Sequence, residues 1–94
     1  MIRVLIERQF AEGMHEELRR AEMEARQQAM QIPGYISGET LRDRDNPQRN
    51  VVISTWRSVE DWDAWQVSDA RKKIVDALSP ILVEAERITV LEPL

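Results

Sequence analysis

Apolar and polar residues alternate with period two from the start of the chain. Ile2, Val4 and Ile6 share one face and Arg3, Leu5 and Glu7 the other, which predicts a strand over residues 2–9. Gly13 closes this segment, and the period then lengthens. Met14, Leu18, Ala21, Ala25 and Ala29 recur at spacings of three and four, the stripe of a helix running to about residue 31. Glu, Arg and Gln fill most other positions, as good helix formers on a wet face. Ile32-Pro33-Gly34 stops the helix, because proline supplies no backbone N–H and crowds the preceding turn.

A second strand is expected over residues 35–42, from Tyr35 to Arg42, followed by a polar turn over residues 42–50. Val51-Val52-Ile53-Ser54-Thr55-Trp56 is the most β-prone stretch and makes the third strand, paired with the second as a hairpin. Ser58 is an N-cap, and Asp61 at N3 makes a variant of the capping box. The helical region continues through Trp62, Ala64, Trp65, Ile74, Val75 and Leu78, with a break near Ser68-Asp69. Ser79-Pro80 marks a bend or a helix restart. A last strand over residues 86–91 sets Ile88 and Val90 opposite Thr89 and Leu91.

The resulting order, β-α-β-β-α-β, is the ferredoxin-like α+β arrangement: an antiparallel sheet with helices on one face, spanning residues 1–94 as one domain. The other sheet face carries Leu5, Leu41 and Leu91 among polar residues. A half-apolar face on so small a domain needs a cover, and the economical cover is a second copy about a two-fold axis. A homodimer is therefore expected.

Composition removes several alternatives. With 94 residues the chain buries a limited share of its surface. It has no cysteine, so neither a disulfide nor a thiolate metal site can form. The formal net charge is -4 with both signs interspersed, unlike the basic stripe of a nucleic-acid groove. The opening residues lack the pattern of a signal peptide, and no apolar run approaches transmembrane length. A soluble cytoplasmic protein without nucleic-acid or membrane partners is expected.

Gly13 before the long helix, Pro33-Gly34-Tyr35 entering strand two, and Trp56-Arg57-Ser58-Val59-Glu60-Asp61-Trp62-Asp63-Ala64-Trp65 with Ser68-Asp69 behind it form an ordered set. In these residues the whole chain resembles the antibiotic-biosynthesis-monooxygenase domain, a dimeric α/β-barrel group within the ferredoxin-like folds. The resemblance implies either a cofactor-independent oxygenase of quinols and anthrones or a heme-degrading monooxygenase. The heme-degrading pattern needs an Asn on strand one, a Trp on the second helical region and a His further along it. An ungapped match puts Ile6, Trp65 and Val75 there. Val75 cannot ligate iron and Ile6 cannot hydrogen-bond a ligand, so heme degradation is disfavoured and no cofactor is expected.

Trp62 and Trp65 lie on neighbouring positions of one helical face. They are either an aromatic wall for a flat ligand or core packing, and the resemblance places Trp65 at the pocket. Trp56 reads as a core or interface anchor. Arg71 is a candidate to hold an anionic substrate oxygen, or else part of a solvated basic face with Lys72 and Lys73. Tyr35 is a candidate hydrogen-bond donor to substrate, or the anchor of a strand start. His15, the only histidine, would suit a base near neutrality, but its place beside Glu16 and Glu17 favours a solvated side chain. Glu7 is either a buried base or the partner of an Arg on a neighbouring strand or subunit. One histidine makes no zinc or iron site, and the three glycines form no nucleotide loop. The reading that follows is a cofactor-independent monooxygenase of a small aromatic quinol, with Trp65, Trp62, Arg71 and Tyr35 binding substrate. The alternative is a non-enzymatic dimeric binder of small molecules.

Overall fold

In the computed structural model, which describes all of Met1–Leu94, seven elements follow in order. They are β1 (Ile2–Gln9), α1 (His15–Ala29), β2 (Tyr35–Arg42), β3 (Arg49–Trp56), α2 (Val59–Gln66), α3 (Asp69–Leu78) and β4 (Arg87–Leu91). The strands form one sheet in the order β2-β3-β1-β4. β3 runs antiparallel to both β1 and β2, so β1 and β2 are parallel with β3 between them. β4 pairs antiparallel with the other side of β1. This is the ferredoxin-like split βαβ arrangement expected from the pattern.

Period two decides what faces the helices. Ile2, Val4 and Ile6 of β1 are buried on that side, together with Trp56 of β3. Leu18 and Ala29 of α1, Trp62 and Trp65 of α2, and Ile74 and Leu78 of α3 close over them. Along the opposite face Leu5 stands across from Ile53, and Leu41 across from Val51. Leu41 and Leu91 there are 47% and 48% exposed, so that face is uncovered in one copy of the chain. No helix is long and apolar enough to cross a membrane.

Several boundaries depart from the periodicity, each for a local reason. β3 begins two residues early because Arg49 and Asn50 continue the ladder opposite Gln9 and Arg8. The second helical region is two helices. Ser68 has extended backbone, and its hydroxyl oxygen accepts from the Arg71 N–H at 3.1 Å while its O–H donates to the Trp65 carbonyl at 2.7 Å. One serine thus ends α2 and caps α3. Ser79-Pro80 bends the chain without restarting a helix. Ser58 caps α2 by accepting from the Asp61 N–H at 3.2 Å. The Asp61 carboxylate accepts from the Ser58 hydroxyl and the Arg57 guanidinium instead of the Ser58 backbone N–H, so the capping box is not reciprocal. Hydrogen bonds from these two partners, those of Arg57 first, hold the Asp61 carboxyl below its ordinary range.

Asp61 also explains Gly34. Gly34 has φ +95°, and a Cβ there would come within 2.3 Å of Asp61 Oδ2 and 2.6 Å of Asp61 Cβ. Its carbonyl accepts from the Arg57 N–H at 2.7 Å, which joins the start of β2 to the start of α2. Gly34→Ala therefore meets both backbone strain and a clash, and is expected to cost at least ~2 kcal/mol. The urea midpoint checks this; an unchanged midpoint contradicts it.

Candidate functional site

The inward register of the central strands does not stay apolar. After Ile2, Val4 and Ile6 comes Arg8, and directly opposite it on β3 stands Asn50, both buried. On α1, Glu22 sits four residues after Leu18 and three before Ala25, within the stripe that faces the sheet. Glu86 lies just ahead of β4 and in the same register as Ile88 and Val90. Arg71 precedes Ile74 and Leu78 on the inward face of α3.

These five side chains form one network. Arg8 Nη1 donates to Glu22 Oε2 at 2.6 Å, and Arg8 Nε to Glu86 Oε2 at 3.0 Å. Arg71 Nη2 donates to the other Glu86 oxygen, and Asn50 Nδ2 to Glu22 Oε1 at 2.8 Å. The arginine side chains are 4% exposed and the glutamates 10%. Two positive and two negative charges balance, and each carboxylate takes charge-assisted hydrogen bonds that offset its desolvation. Burial pushes the Glu86 carboxyl up, but the charges of Arg8 and Arg71 and their hydrogen bonds outweigh it and hold Glu86 below its ordinary value. Two buried polar atoms have no partner: Asn50 Oδ1 and Arg71 Nη1.

Beside the network stands an aromatic cluster built around Trp56. Its ring meets Tyr35 edge-on at 5.4 Å between centroids and Trp62 at 5.6 Å, and stacks near Trp65 at 6.4 Å. The Trp56 indole N–H donates to the Ser54 hydroxyl at 3.0 Å. The Tyr35 hydroxyl lies over Gly38, where an added Cβ would be 2.5 Å from it. Gly38 thereby leaves the phenol its place.

Between the aromatic cluster and the charge network lies a cavity of about 70 Å³. Trp56, Trp62, Trp65 and Ile74 line its apolar side and Arg8, Glu22 and Arg71 its polar side. The exposed residues Arg26, Glu39 and Thr40, also in its lining, mark its mouth between α1 and β2.

The structure places Trp62, Trp65, Arg71 and Tyr35 in the lining of this one cavity. Trp56 joins them, serving at once as the hub of the core. Arg71 is not part of a basic face: it is buried, while Lys72 and Lys73 are exposed. His15 lies elsewhere, exposed at the start of α1, with its ring edge-on to Phe10 at 4.8 Å. Glu7 points to the opposite sheet face and pairs with Arg49 of β3 at 2.5 Å and Arg87 of β4 at 3.8 Å. Ile6 does line the cavity, but Val75 is exposed in a groove on the other side of α3. The inward α3 position next to it is Ile74, which cannot ligate iron, and the neighbour on the other side, Asp76, is exposed. Nowhere does the fold gather three or more His, Asp or Glu side chains that could hold a metal ion. Arg8, Glu22, Asn50 and Glu86 were not singled out by motif; their only signal was a polar residue on the inward register of each element.

Removing one member of a buried charge network leaves the others uncompensated, so Glu86→Gln is expected to cost about 3–5 kcal/mol at neutral pH. The Glu86 carboxyl titrates below its ordinary value of 4.5 in the folded chain. Its contribution is thus complete above that value and is lost as pH falls through the lower, folded one. The stability gap between Glu86→Gln and the unaltered chain should accordingly narrow in acid, as read by thermal melting from pH 7 downward. A gap independent of pH contradicts this.

The family model of antibiotic biosynthesis monooxygenases matches residues 1–77. A 42.8 kDa protein in the whiE locus of Streptomyces coelicolor is 27% identical over 78 residues, which are 83% of this chain and 20% of that protein. The chain therefore spans about a fifth of that relative's length. Among solved structures, a conserved protein from Methanosarcina mazei Go1 superposes with TM-score 0.91 at 20% identity, covering 99% of this chain and 92% of that one. SnoaB, a cofactor-independent oxygenase from Streptomyces nogalater, superposes with TM-score 0.88 at 14% identity, with the same coverage of 99% and 92%. At these identities the structural matches establish the fold. Given the match of the family model over most of its length, the chain belongs to the antibiotic biosynthesis monooxygenase family.

Proposed function

We propose that the chain is a homodimeric, cofactor-independent monooxygenase acting on a small aromatic, quinol-like molecule. The observation that carries this is the meeting of a tryptophan wall with Arg71, whose buried Nη1 has no partner. A flat ring stacks on the wall, and its oxygen takes the free N–H. A buried donor left without an acceptor costs free energy, which a ligand oxygen recovers. Arg71 then stabilises the oxyanion as it forms, in a largely buried site where a bound ring displaces water. The anion passes an electron to dioxygen, so the substrate itself is the reductant. Where the oxidised carbon carries two hydrogens, one oxygen atom ends as its carbonyl and the other leaves as water. The description of SnoaB as a cofactor-independent oxygenase supports this class of reaction on the same fold.

The cavity of about 70 Å³ holds water-sized occupants, well short of the roughly 300–1,000 Å³ of ligand pockets. A bicyclic ligand enters by parting α1 from β2 at the Arg26, Glu39 and Thr40 mouth. In the dimer a second copy covers the Leu5, Leu41 and Leu91 face, and light scattering at micromolar concentration should give twice the monomer mass. A monomer mass overturns that part.

Oxygen uptake on a panel of dihydroxynaphthalenes and anthrones tests the activity. Trp65→Ala should lower kcat/KM about tenfold, the equivalent of one lost aromatic contact. Arg71→Met should lower kcat about 10²–10³-fold, as for the loss of an oxyanion donor. Uptake no higher than that of Trp65→Ala across the whole panel overturns the reading. Ile6 and Val75, which supply no polar group at the two family positions, favour a second reading as a binder without turnover. That reading predicts thermal stabilisation by the same compounds with no oxygen consumed.

A further inference from the structure

We propose that Glu22 is the base that takes the substrate's hydroxyl proton. The proposal rests on the oxygenase reading above and supplies the group that reading leaves unnamed. Glu22 is the one buried carboxylate in the cavity lining; the other acid there, Glu39, is exposed at the mouth. Glu86 is ruled out because it lies outside the lining and is held by two guanidiniums, those of Arg8 and Arg71, where Glu22 meets only one. Each Glu22 oxygen takes one donor, Arg8 Nη1 or Asn50 Nδ2, which leaves each a free lone pair.

Glu22 also stands in a wall with two sides. One side is the cavity. The other is an open groove between α1 and the β2–β3 hairpin, lined by His15, Arg19, Glu22, Thr40, Arg42 and Asn50 among others. A base that turns over must collect a proton from the ligand and release it to solvent. Glu22 borders both spaces.

The two partnerless polar atoms fit the same step. With Glu22 ionised, Asn50 presents Nδ2 to it and Oδ1 is left without a donor. Once Glu22 is protonated it carries an O–H, and a turn of the Asn50 amide brings Oδ1 to accept it. Across the cavity, Arg71 Nη1 lacks an acceptor until the ligand oxygen arrives. In the state with the ligand anion at Arg71 and the proton on Glu22, the Arg71 orphan is satisfied, and the turned Asn50 accepts the Glu22 O–H through Oδ1 while its Nδ2 takes the place Oδ1 left. Charge is conserved as well. The network of Arg8, Arg71, Glu22 and Glu86 is neutral beforehand; it becomes +1 as the ligand becomes −1, so the buried site stays neutral throughout.

The step is a heterolytic proton transfer. The ligand O–H breaks, its electron pair remains on the ligand oxygen, and a Glu22 O–H forms. Dioxygen is then reduced by one electron from the anion, which becomes a radical. Glu22→Gln keeps the size and one acceptor oxygen, loses the charge paired with Arg8, and cannot accept the proton. With dihydroxynaphthalene as probe, kcat for oxygen uptake should fall about 10²–10⁴-fold. Calorimetry should show the probe's Kd within roughly threefold of the unaltered chain, the change expected when uniform binding is kept. The dichloro derivative, whose hydroxyl ionises more readily, should recover most of the rate in Glu22→Gln but not in Arg71→Met. A full rate in Glu22→Gln, or a loss that the acidic probe does not restore, overturns Glu22 as base and leaves the oxygenase reading intact. No uptake by the unaltered chain overturns both. If Glu22→Gln does not fold, the unaltered chain decides under nitrogen. Binding of the acidic probe should give the absorbance of its anion together with an infrared band of a protonated carboxyl. The anion without that band overturns the proposal.

Discussion

A guanidinium cannot be taken out of water without counter-charge, and Arg8 is buried on the inner face of the central strand. Everything that packs on that face is arranged to answer it. Glu22 comes from α1, Glu86 from the segment entering β4, and Arg71 of α3 grips Glu86 in turn. The partners lie 14, 78 and 15 residues apart in the chain, so the network closes only when both helical layers and the last strand are in place. Misplacing any one of them leaves a buried ion unpaired, at a cost of several kcal/mol. The network therefore selects this arrangement over other compact packings of the same amphipathic elements.

The aromatic half of the interior works by a different rule. Trp56 at the end of β3 gathers Tyr35, Trp62 and Trp65 around it, and the geometry is mostly edge-on. Such packing is rigid, because large flat side chains in contact have few alternative rotamers. The cavity forms where this rigid cluster meets the charge network. Neither half can fill the gap: the indoles are already fixed by each other, and the arginines by their carboxylates.

The sheet and its order were legible because the strands alternate cleanly, Ser58 announced the start of the second helical region, and Ser68-Asp69 marked the break within it. Trp62, Trp65, Tyr35 and Arg71 stood out as residue types. The charge network did not, although its signal was present. Arg8 continues the register of Ile2, Val4 and Ile6, Asn50 that of Ser54 and Trp56, and Glu86 that of Ile88 and Val90. Glu22 falls within the α1 stripe between Leu18 and Ala25. Read one strand at a time, a charge at the next inward position looks like the end of a strand, and so Asn50 and Arg49 fell into the polar turn. Only the pairing of distant elements shows that the inward positions carry opposite charges and come together.

A buried charge network is weak evidence for stability as such, since well-packed apolar side chains of similar volume hold a core equally well or better. Its retention here is better explained by what it leaves unpaired: Arg71 lines the cavity, and Asn50 lines the groove on the other side of Glu22. Of its polar atoms, two are left without a partner: one donor, on Arg71, and one acceptor, on Asn50. Had the network served only to join layers, a closed set of hydrogen bonds would be the lower-energy solution, because each orphan costs about 1–3 kcal/mol. The Arg71 share of that cost is carried by the resting chain and removed when the oxygen of a hydroxyl-bearing ring binds. The hydrogen bond that fills the Arg71 position strengthens as the ligand oxygen gains charge. An interaction stronger in the reacting state than in the resting one is what accelerates a reaction. On this argument the incompleteness of the network, more than its size or burial, marks the interior as a site for chemistry.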